Sequence, residues 1–395
     1  MLNSTTPVLE TERQSTVKGW PLGLTAAILM VLYVVAAVVG GEIRQIVLAS
    51  VQTVPFVILA ILAYLGITQT WAKVLTLVWL GILVAGFGIA ALGLSFAALL
   101  DNPAVQPGTL PRLADGGGAQ LLGVAVGSLV AVGIGALGFI PGVRRWLSRF
   151  LPLNPQSFVH TIALVAVVAL TLLCFVPLIA LGEPPFLRVV ANASEQGTDL
   201  MGGRSDNGML RDSIYGLLWT IPAAILAVGY AVRRDLGAAL VRLGFVRPTL
   251  RQVLIGIGLA VVLVIVATLL GTVVDQIWDA LGWPKTDGEA FDEVLAFAFS
   301  PLGAVVLGVT AGLGEELAVR GVLQPRLGIL VSNLFFISLH AFQYNWNTLL
   351  VIFVVGLTLG VIRKRTNTTT SAITHGVYDF ILVMLTVLQV PMFSE

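Results

Sequence analysis

Ionisable side chains of the kinds that catalyse hydrolysis are concentrated near the end of a very apolar sequence. Carboxylates can accept a proton from water, imidazoles can orient water, and a guanidinium can hold a carboxylate in place. The chain has three histidines, and two of them belong to this set. No nucleophilic side chain is evident beside them, so the set predicts hydrolysis by an activated water molecule. Its members are Glu315, Glu316, Arg320, His340, His375 and Asp379.

Helical spacing arranges four of these side chains into two pairs. Glu316 and Arg320 are four residues apart in the sequence, and so are His375 and Asp379. Residues at this spacing lie on the same face of an α-helix and can contact each other. The pattern therefore predicts an ion pair in one helix and an imidazole–carboxyl pair in another.

Counting along the helices from basic residues at one membrane surface places these groups at a similar depth. At about 1.5 Å per residue, Glu315 and His340 lie about 16 and 21 Å from Arg326. By the same measure, His375 lies about 15 Å from Arg365. Ionisable groups near the middle of a bilayer are costly and are usually functional. Structural polar contacts within the bundle are the alternative, but the shared depth favours a functional site.

The composition is that of a membrane protein with several spans. Hydrophobic residues make up 57% of the 395 residues and charged residues only 11%, whereas soluble domains carry roughly 25% charged residues. The formal net charge of +1 gives no excess of basic residues for a nucleic acid to bind. Cys174 is the single cysteine, so the chain cannot form an internal disulfide.

Apolar segments long enough to cross a bilayer predict an all-α transmembrane bundle of about eleven spans, with the catalytic core in the last four or five. We divide the chain into a polar tail at 1–19, an N-terminal transmembrane bundle of unassigned role at 20–246 and a catalytic core at 247–391. Residues 183–211 are expected to form a polar loop, and 273–300 an amphipathic segment on the outer surface. The expected spans lie near 20–40, 46–66, 74–100, 119–141, 159–182, 212–231, 251–272, 301–324, 328–343, 347–362 and 370–391.

The distribution of basic residues predicts the orientation of the chain in the membrane. With eleven crossings, 16 of the 22 lysines and arginines fall on the same side as the N-terminus and 6 on the other side. Basic residues accumulate in cytoplasmic loops. We therefore expect a multi-pass protein of the cell membrane with a cytoplasmic N-terminus and an external C-terminus.

Three short motifs resemble those of one protease family. Residues 315–320 read as E-E-x-x-x-R, residues 336–340 as F-x-x-x-H and residues 375–379 as H-x-x-x-D. In this order and on successive hydrophobic segments, they resemble the CPBP family of intramembrane proteases. That family includes CAAX prenyl endopeptidases of the Ras-converting type and the bacterial Abi or bacteriocin-processing proteins. The resemblance covers roughly residues 245–391, with departures at Val319, where Phe is common, and at Asp379, where Asn is frequent.

The resemblance implies a role for each motif residue. Glu315 would act as general base on a water molecule that it polarises together with His340. His375 and Asp379 would position or stabilise the oxyanion of the tetrahedral intermediate. An ionised Asp379 cannot donate a hydrogen bond, so we expect it either to be protonated or to hold His375 as an imidazolium donor. Glu316 and Arg320 are expected to form a supporting ion pair.

The resemblance leaves two mechanisms open. We expect a glutamate-type protease with no obligatory cofactor. The alternative is a metalloprotease in which Glu315, His340 and His375 hold zinc or another divalent cation, with water in the fourth position. No H-E-x-x-H motif, rhomboid-like Gly-x-Ser-Gly loop or presenilin-like aspartate pair occurs in the sequence.

The expected partners are a peptide or protein substrate, which reaches the site from the membrane or the cytosol, and the lipid bilayer. No nucleic-acid partner is expected. Two other functional classes are compatible with buried charge in a membrane. A proton-coupled transporter would use the same residue types, but no matching broken helices occur in two halves of the chain. A non-catalytic immunity or partner protein would retain the fold, although the intact Glu315, His340 and His375 argue against it.

Overall fold

The computed structural model describes residues 30–31, 33–36, 38–100, 112–195 and 206–390. These residues are almost entirely helical, and they form no strand beyond two isolated bridges, Leu100 with Leu113 and Tyr230 with Arg234. The predicted all-α transmembrane bundle is confirmed. The tail predicted at 1–19, and residues 20–29 of the first predicted span, lie outside the described residues.

The N-terminal half contains helices of very different lengths, and the longest of them are strongly apolar. The shorter ones lie between these long helices in the sequence. In chain order the α-helices are α1 (Gly41–Ala49), α2 (Val54–Leu65), α3 (Thr70–Ala98), α4 (Gly117–Ala136), α5 (Pro141–Leu147), α6 (Phe158–Leu181), α7 (Pro185–Glu195), α8 (Asp206–Ala227) and α9 (Leu236–Leu243).

The C-terminal half contains the candidate site residues and a stretch of π-helix, which follows Pro301–Glu315 and precedes Gln324–His340. The π-helix spans Glu316–Leu323. The α-helices are α10 (Leu250–Leu281), α11 (Gly288–Leu295), α12 (Pro301–Glu315), α13 (Gln324–His340), α14 (Trp346–Arg365) and α15 (Thr368–Val387).

Fewer helices meet the requirements for a membrane span than the sequence analysis predicted. Seven described helices are long and apolar enough to cross a membrane, and the pair Gly41–Gln52 and Val54–Leu65, bent by 51°, could add an eighth. Helix α8, predicted as a span at 212–231, is not among the seven. Its first turns contain Asp206, Arg211 and Asp212, which make this part of the helix polar.

The spans predicted at 301–324 and 328–343 form one helical run, Pro301–His340, with a sharp break. Gly328 has φ 78° and ψ 174°, a backbone conformation that residues with a Cβ rarely adopt. Beyond Gly328 the chain folds back, as the distance of 4.5 Å between the Arg320 guanidinium and the centre of the Phe336 ring shows. In a straight helix these residues would be about 24 Å apart. The two predicted spans are therefore the two arms of a hairpin.

The surface segment predicted at 273–300 and the loop predicted at 183–211 both contain helix. Helix α10 has 32 residues and continues through the first part of the segment predicted to lie on the surface, because no glycine or proline interrupts it between 272 and 281. The loop predicted at 183–211 contains α7. Leu187 and Val190 of α7 pack against Ala290 and Val294 of α11, and this burial stabilises both short helices.

Helices α12 and α15 cross with their backbones in direct contact. A Cβ added at Gly312 would lie 2.5 Å from the backbone nitrogen of Gly376, and one added at Gly308 would collide with the Gly376 carbonyl oxygen. Small residues permit this close packing of helices in a membrane. The crossing places the end of α12, which carries Glu315, beside His375 of α15.

The hairpin formed by Pro301–His340 also contacts the N-terminal half. Arg326 donates a hydrogen bond to the Tyr64 hydroxyl, and its guanidinium lies 5.8 Å from the centre of the Tyr64 ring. At the break in the hairpin, a Cβ on Gly328 would lie 3.3 Å from Cδ of Pro152. The hairpin is thus packed against α2 and the segment before α6.

Candidate active site

Glu316 lies at the centre of a buried polar network. Its side chain has no exposed surface, and each of its oxygens has a partner. Ser371 Oγ donates to Oε2 at 2.6 Å, while Oε1 lies 3.1 Å from a terminal nitrogen of Arg320 and 3.2 Å from His375 Nδ1. The predicted Glu316–Arg320 ion pair is therefore present. A carboxylate enclosed in this way is suited to holding other groups in place and cannot reach a substrate.

Arg320 is buried, with 1% of its surface exposed. It donates to the Gly356 carbonyl oxygen at 2.8 Å and to Asn333 Oδ1 at 3.5 Å, and its guanidinium lies over the Phe336 ring. The π-helix that carries both Glu316 and Arg320 is a rare conformation that occurs frequently at functional sites. These contacts join the π-helix to α13 and α14.

His375 is surrounded by three carboxyl groups. Its Nδ1 faces Glu316, and its Nε2 lies 3.4 Å from Asp379 Oδ2 and 3.9 Å from Glu315 Oε2. Only a doubly protonated imidazole can donate from both nitrogens, whereas the neutral ring donates from one. The predicted pairing of His375 with Asp379 on one helix face is present. Nδ1 is hydrogen-bonded to Glu316, and Nε2 has two further carboxyl groups nearby.

Glu315 differs sharply from its neighbour Glu316. Its side chain is 38% exposed, although its carboxylate remains within 3.9 Å of the His375 ring. Adjacent residues on a helix point about 100° apart, so one glutamate faces the protein interior while the other faces open space. Glu315 is consequently the carboxylate of the pair that a water molecule can reach.

His340 lies at the C-terminal end of α13, and its ring orientation is set by the helix itself. Nδ1 lies 2.9 Å from the Phe336 carbonyl oxygen. Because a carbonyl oxygen can only accept, Nδ1 carries the proton, and Nε2 of the neutral ring is left as an acceptor. The Phe336 ring contacts both imidazoles, with ring centres 4.8 Å from His340 and 6.1 Å from His375.

The proposed metal ligands do not form a metal-binding cluster in the described part of the chain. No group of three or more His, Cys, Asp or Glu side chains there has the arrangement needed to hold a metal ion. The three residues predicted as ligands are Glu315, His340 and His375. Of these, Glu315 and His375 approach each other, while Nδ1 of His340 is engaged by the backbone.

Three residues near the site were not predicted from the sequence. Ser371 precedes His375 by four residues and therefore shares its helix face, a spacing that could have identified it. Asn333 contacts Arg320 and donates to the Phe353 carbonyl oxygen at 2.9 Å. Tyr344 has its ring centre 6.0 Å from that of His340. The contacts of Asn333 and Tyr344 depend on the hairpin and on a loop, and no local sequence pattern indicates them.

Comparison with protein families identifies the part of the chain that contains all of these residues. Residues 297–381 match the family described as type II CAAX prenyl endopeptidase Rce1-like. The segment is thus similar to CAAX-type endopeptidases, and the resemblance predicted from the three motifs is confirmed. The match covers less than half of the chain. No curated protein and no solved structure matches the sequence.

Proposed function

We propose that this multi-pass membrane protein is an intramembrane endopeptidase of the CAAX-endopeptidase type, in which Glu315 activates the attacking water. The observation that carries the proposal is the contrast between two neighbouring glutamates. Glu316 is enclosed by Ser371, Arg320 and His375, whereas Glu315 is partly exposed and remains beside His375. Activation of water requires a carboxylate that water can reach, and Glu315 is the accessible one of the two. The Rce1-like match of residues 297–381 supports the same reaction class.

The proposed reaction proceeds by addition of water to the scissile carbonyl carbon. Glu315 accepts a proton from the water, and Nε2 of His340 accepts a hydrogen bond from it and fixes its orientation. The new C–O bond forms as the carbonyl π electrons move to oxygen. Collapse of the tetrahedral intermediate breaks the C–N bond, and Glu315 returns its proton to the leaving amine. The products are a carboxylic acid and an amine, and no covalent enzyme intermediate forms.

We propose that no metal ion is required, because the residues of the described chain do not form a three-ligand cluster. The steps above need only Glu315 and His340. Elemental analysis of purified, active protein tests this point. We expect less than stoichiometric zinc and no loss of activity on chelation. One zinc per chain, lost together with activity and restored with it, would establish the metalloprotease alternative.

The reaction is tested by reconstituting the purified full chain in liposomes and supplying a peptide that ends in a farnesylated CAAX sequence. A proteomic comparison of membranes containing wild-type or variant protein identifies other substrates. We expect Glu315→Gln to lower the cleavage rate by about 10²–10⁴-fold, since positioned acid–base groups contribute this much. Glu289→Gln is the matched control, because Glu289 is exposed in α11.

Normal cleavage by Glu315→Gln would contradict the proposed role of this residue. Absence of any Glu315-dependent cleavage product, in both the peptide assay and the proteomic comparison, would contradict the proposed function. A proton-coupled transporter would then be the better interpretation if the liposomes showed substrate-dependent proton flux that Glu315→Gln abolished.

A further inference from the structure

The proposed reaction needs a hydrogen-bond donor for the negative charge that develops on the substrate carbonyl oxygen. Donors aimed at this charge contribute strongly to acyl cleavage. In the described structure, the motif residues do not offer an accessible hydrogen-bond donor. Nδ1 of His375 is bonded to Glu316 and its Nε2 lies 3.4 Å from Asp379 Oδ2, Nδ1–H of His340 is engaged by the Phe336 carbonyl, and Arg320 is buried.

A phenol lies next to these groups, one helical turn beyond His340. The backbone N–H of Tyr344 donates to the His340 carbonyl oxygen at 2.9 Å, so the last turn of α13 fixes its position. The Tyr344 ring lies 6.0 Å from the His340 ring, with a tilt of 32° between the planes. The residue therefore sits immediately beside the imidazole that would orient the water.

The Tyr344 ring is anchored from two sides. Its centre lies 4.6 Å from that of Phe291 in α11. It also packs against a buried cluster that includes Val319 of the π-helix and Phe336 of α13. Rigid packing of this kind holds a side chain in place before substrate binds, as an efficient catalytic donor requires.

The Tyr344 hydroxyl remains protonated and available to donate. Burial raises the pKa of this phenol above its ordinary value, and the charges of Asp379, Tyr378 and Glu315 raise the pKa further. Within the described residues, the Tyr344 hydroxyl forms no hydrogen bond. A protonated donor without a protein partner can be directed at a ligand.

We propose that Tyr344 is a further catalytic residue, whose hydroxyl donates a hydrogen bond to the carbonyl oxygen of the scissile peptide and to the oxyanion formed from it. This inference rests on the proposed endopeptidase function. The phenolic proton stays on Tyr344 throughout, while Glu315 carries the proton that passes from water to the leaving amine. The Tyr344 hydroxyl thus supplies the hydrogen bond that an amide at position 379 could donate and that an ionised Asp379 cannot.

The inference is tested with Tyr344→Phe, which removes the hydroxyl and keeps the ring that packs against Phe291. We expect kcat to fall by about 10²–10³-fold, as for loss of one oxyanion donor, while KM for the farnesylated peptide changes little. Tyr215→Phe is the matched control, because the Tyr215 hydroxyl bonds Glu42 in α1, which contains none of the candidate site residues.

A tetrahedral analogue separates a catalytic role from a structural one. A peptide trifluoromethyl ketone, which binds as a tetrahedral adduct, should bind Tyr344→Phe more weakly by about the same factor as the fall in kcat. Unchanged kcat, or a lowered kcat with unchanged binding of the ketone, would overturn the inference. Glu315→Gln is assayed in parallel. If Glu315→Gln lowers the cleavage rate as expected while Tyr344→Phe leaves kcat unchanged, the inference about Tyr344 fails and the proposed function stands.

Discussion

Arg320 illustrates how a charge is tolerated in a buried membrane-embedded site. Its guanidinium has an ion-pair partner in Glu316, a carbonyl acceptor at Gly356 and an aromatic face at Phe336. Removing one member of such a buried pair is costly because the remaining charge loses its compensation. The network therefore has a structural function that is separable from the chemistry proposed for Glu315.

Replacement of Glu316 tests this structural function. We expect Glu316→Gln to destabilise the protein by about 3–5 kcal/mol, the usual cost of leaving a buried charge without its partner. Thermal unfolding in detergent measures the effect. The double variant Glu316→Gln with Arg320→Met should be more stable than Glu316→Gln alone, because no unpaired charge remains. Glu315→Gln should unfold at nearly the wild-type temperature. A double variant less stable than the single one would show that the ion pair is not the main stabilising contact.

Asp379 is the second residue whose substitution separates two roles. Its carboxyl oxygen lies 3.4 Å from His375 Nε2. An asparagine at this position retains an oxygen acceptor of the same shape for the imidazole, so Asp379→Asn should keep substantial activity. Asp379→Leu offers no polar partner and should lose about 10²-fold or more. Initial rates on the farnesylated peptide measure both. Equal inactivity of the two variants would mean that the negative charge itself is needed.

At the scale of the helices, the site depends on the crossing of α12 and α15. Gly312→Ala places a methyl group against the Gly376 backbone, and neither backbone can move without shifting its whole helix. We expect a loss of about 1–3 kcal/mol, typical of overpacking, together with a large loss of activity. Gly258→Ala in α10 is the control, since a Cβ there meets nothing within 4 Å. Thermal unfolding and cleavage rates measure both variants, and a fully active Gly312→Ala would contradict this account of the crossing.

The sequence predicted the helices of the site better than the connections between them. The i,i+4 pairs Glu316–Arg320 and His375–Asp379 are present because helical spacing alone determines them. The bends and ends of these helices were not predicted, since apolarity does not show where a helix bends or continues. Gly328 and the extension of α10 through Leu281 are examples. The π-helix was not predicted either.

At the scale of the whole molecule, the orientation in the membrane stays a prediction. The distribution of 16 and 6 basic residues predicts a cytoplasmic N-terminus. Reporter fusions after Arg149, Asn207 and Arg365 should read inside, outside and inside. Because α8 is not apolar enough to be counted among the membrane-spanning helices, the fusion after Arg365 is the most informative about α8, and an outside signal there would show that α8 does not cross. A cytoplasmic signal after Asn207 would require a different number of crossings before α8.

The contacts of Arg326 with Tyr64 and of Gly328 with Pro152 bear on how this architecture can change over generations. The segment that matches the endopeptidase family begins at 297, but its hairpin rests on side chains far upstream. The segment is therefore not expected to keep its structure when recombination joins it to an unrelated protein. Substitutions at Tyr64 and Arg326 are expected to arise together. A chimaera of two homologues should function only when both sides of these contacts come from the same parent.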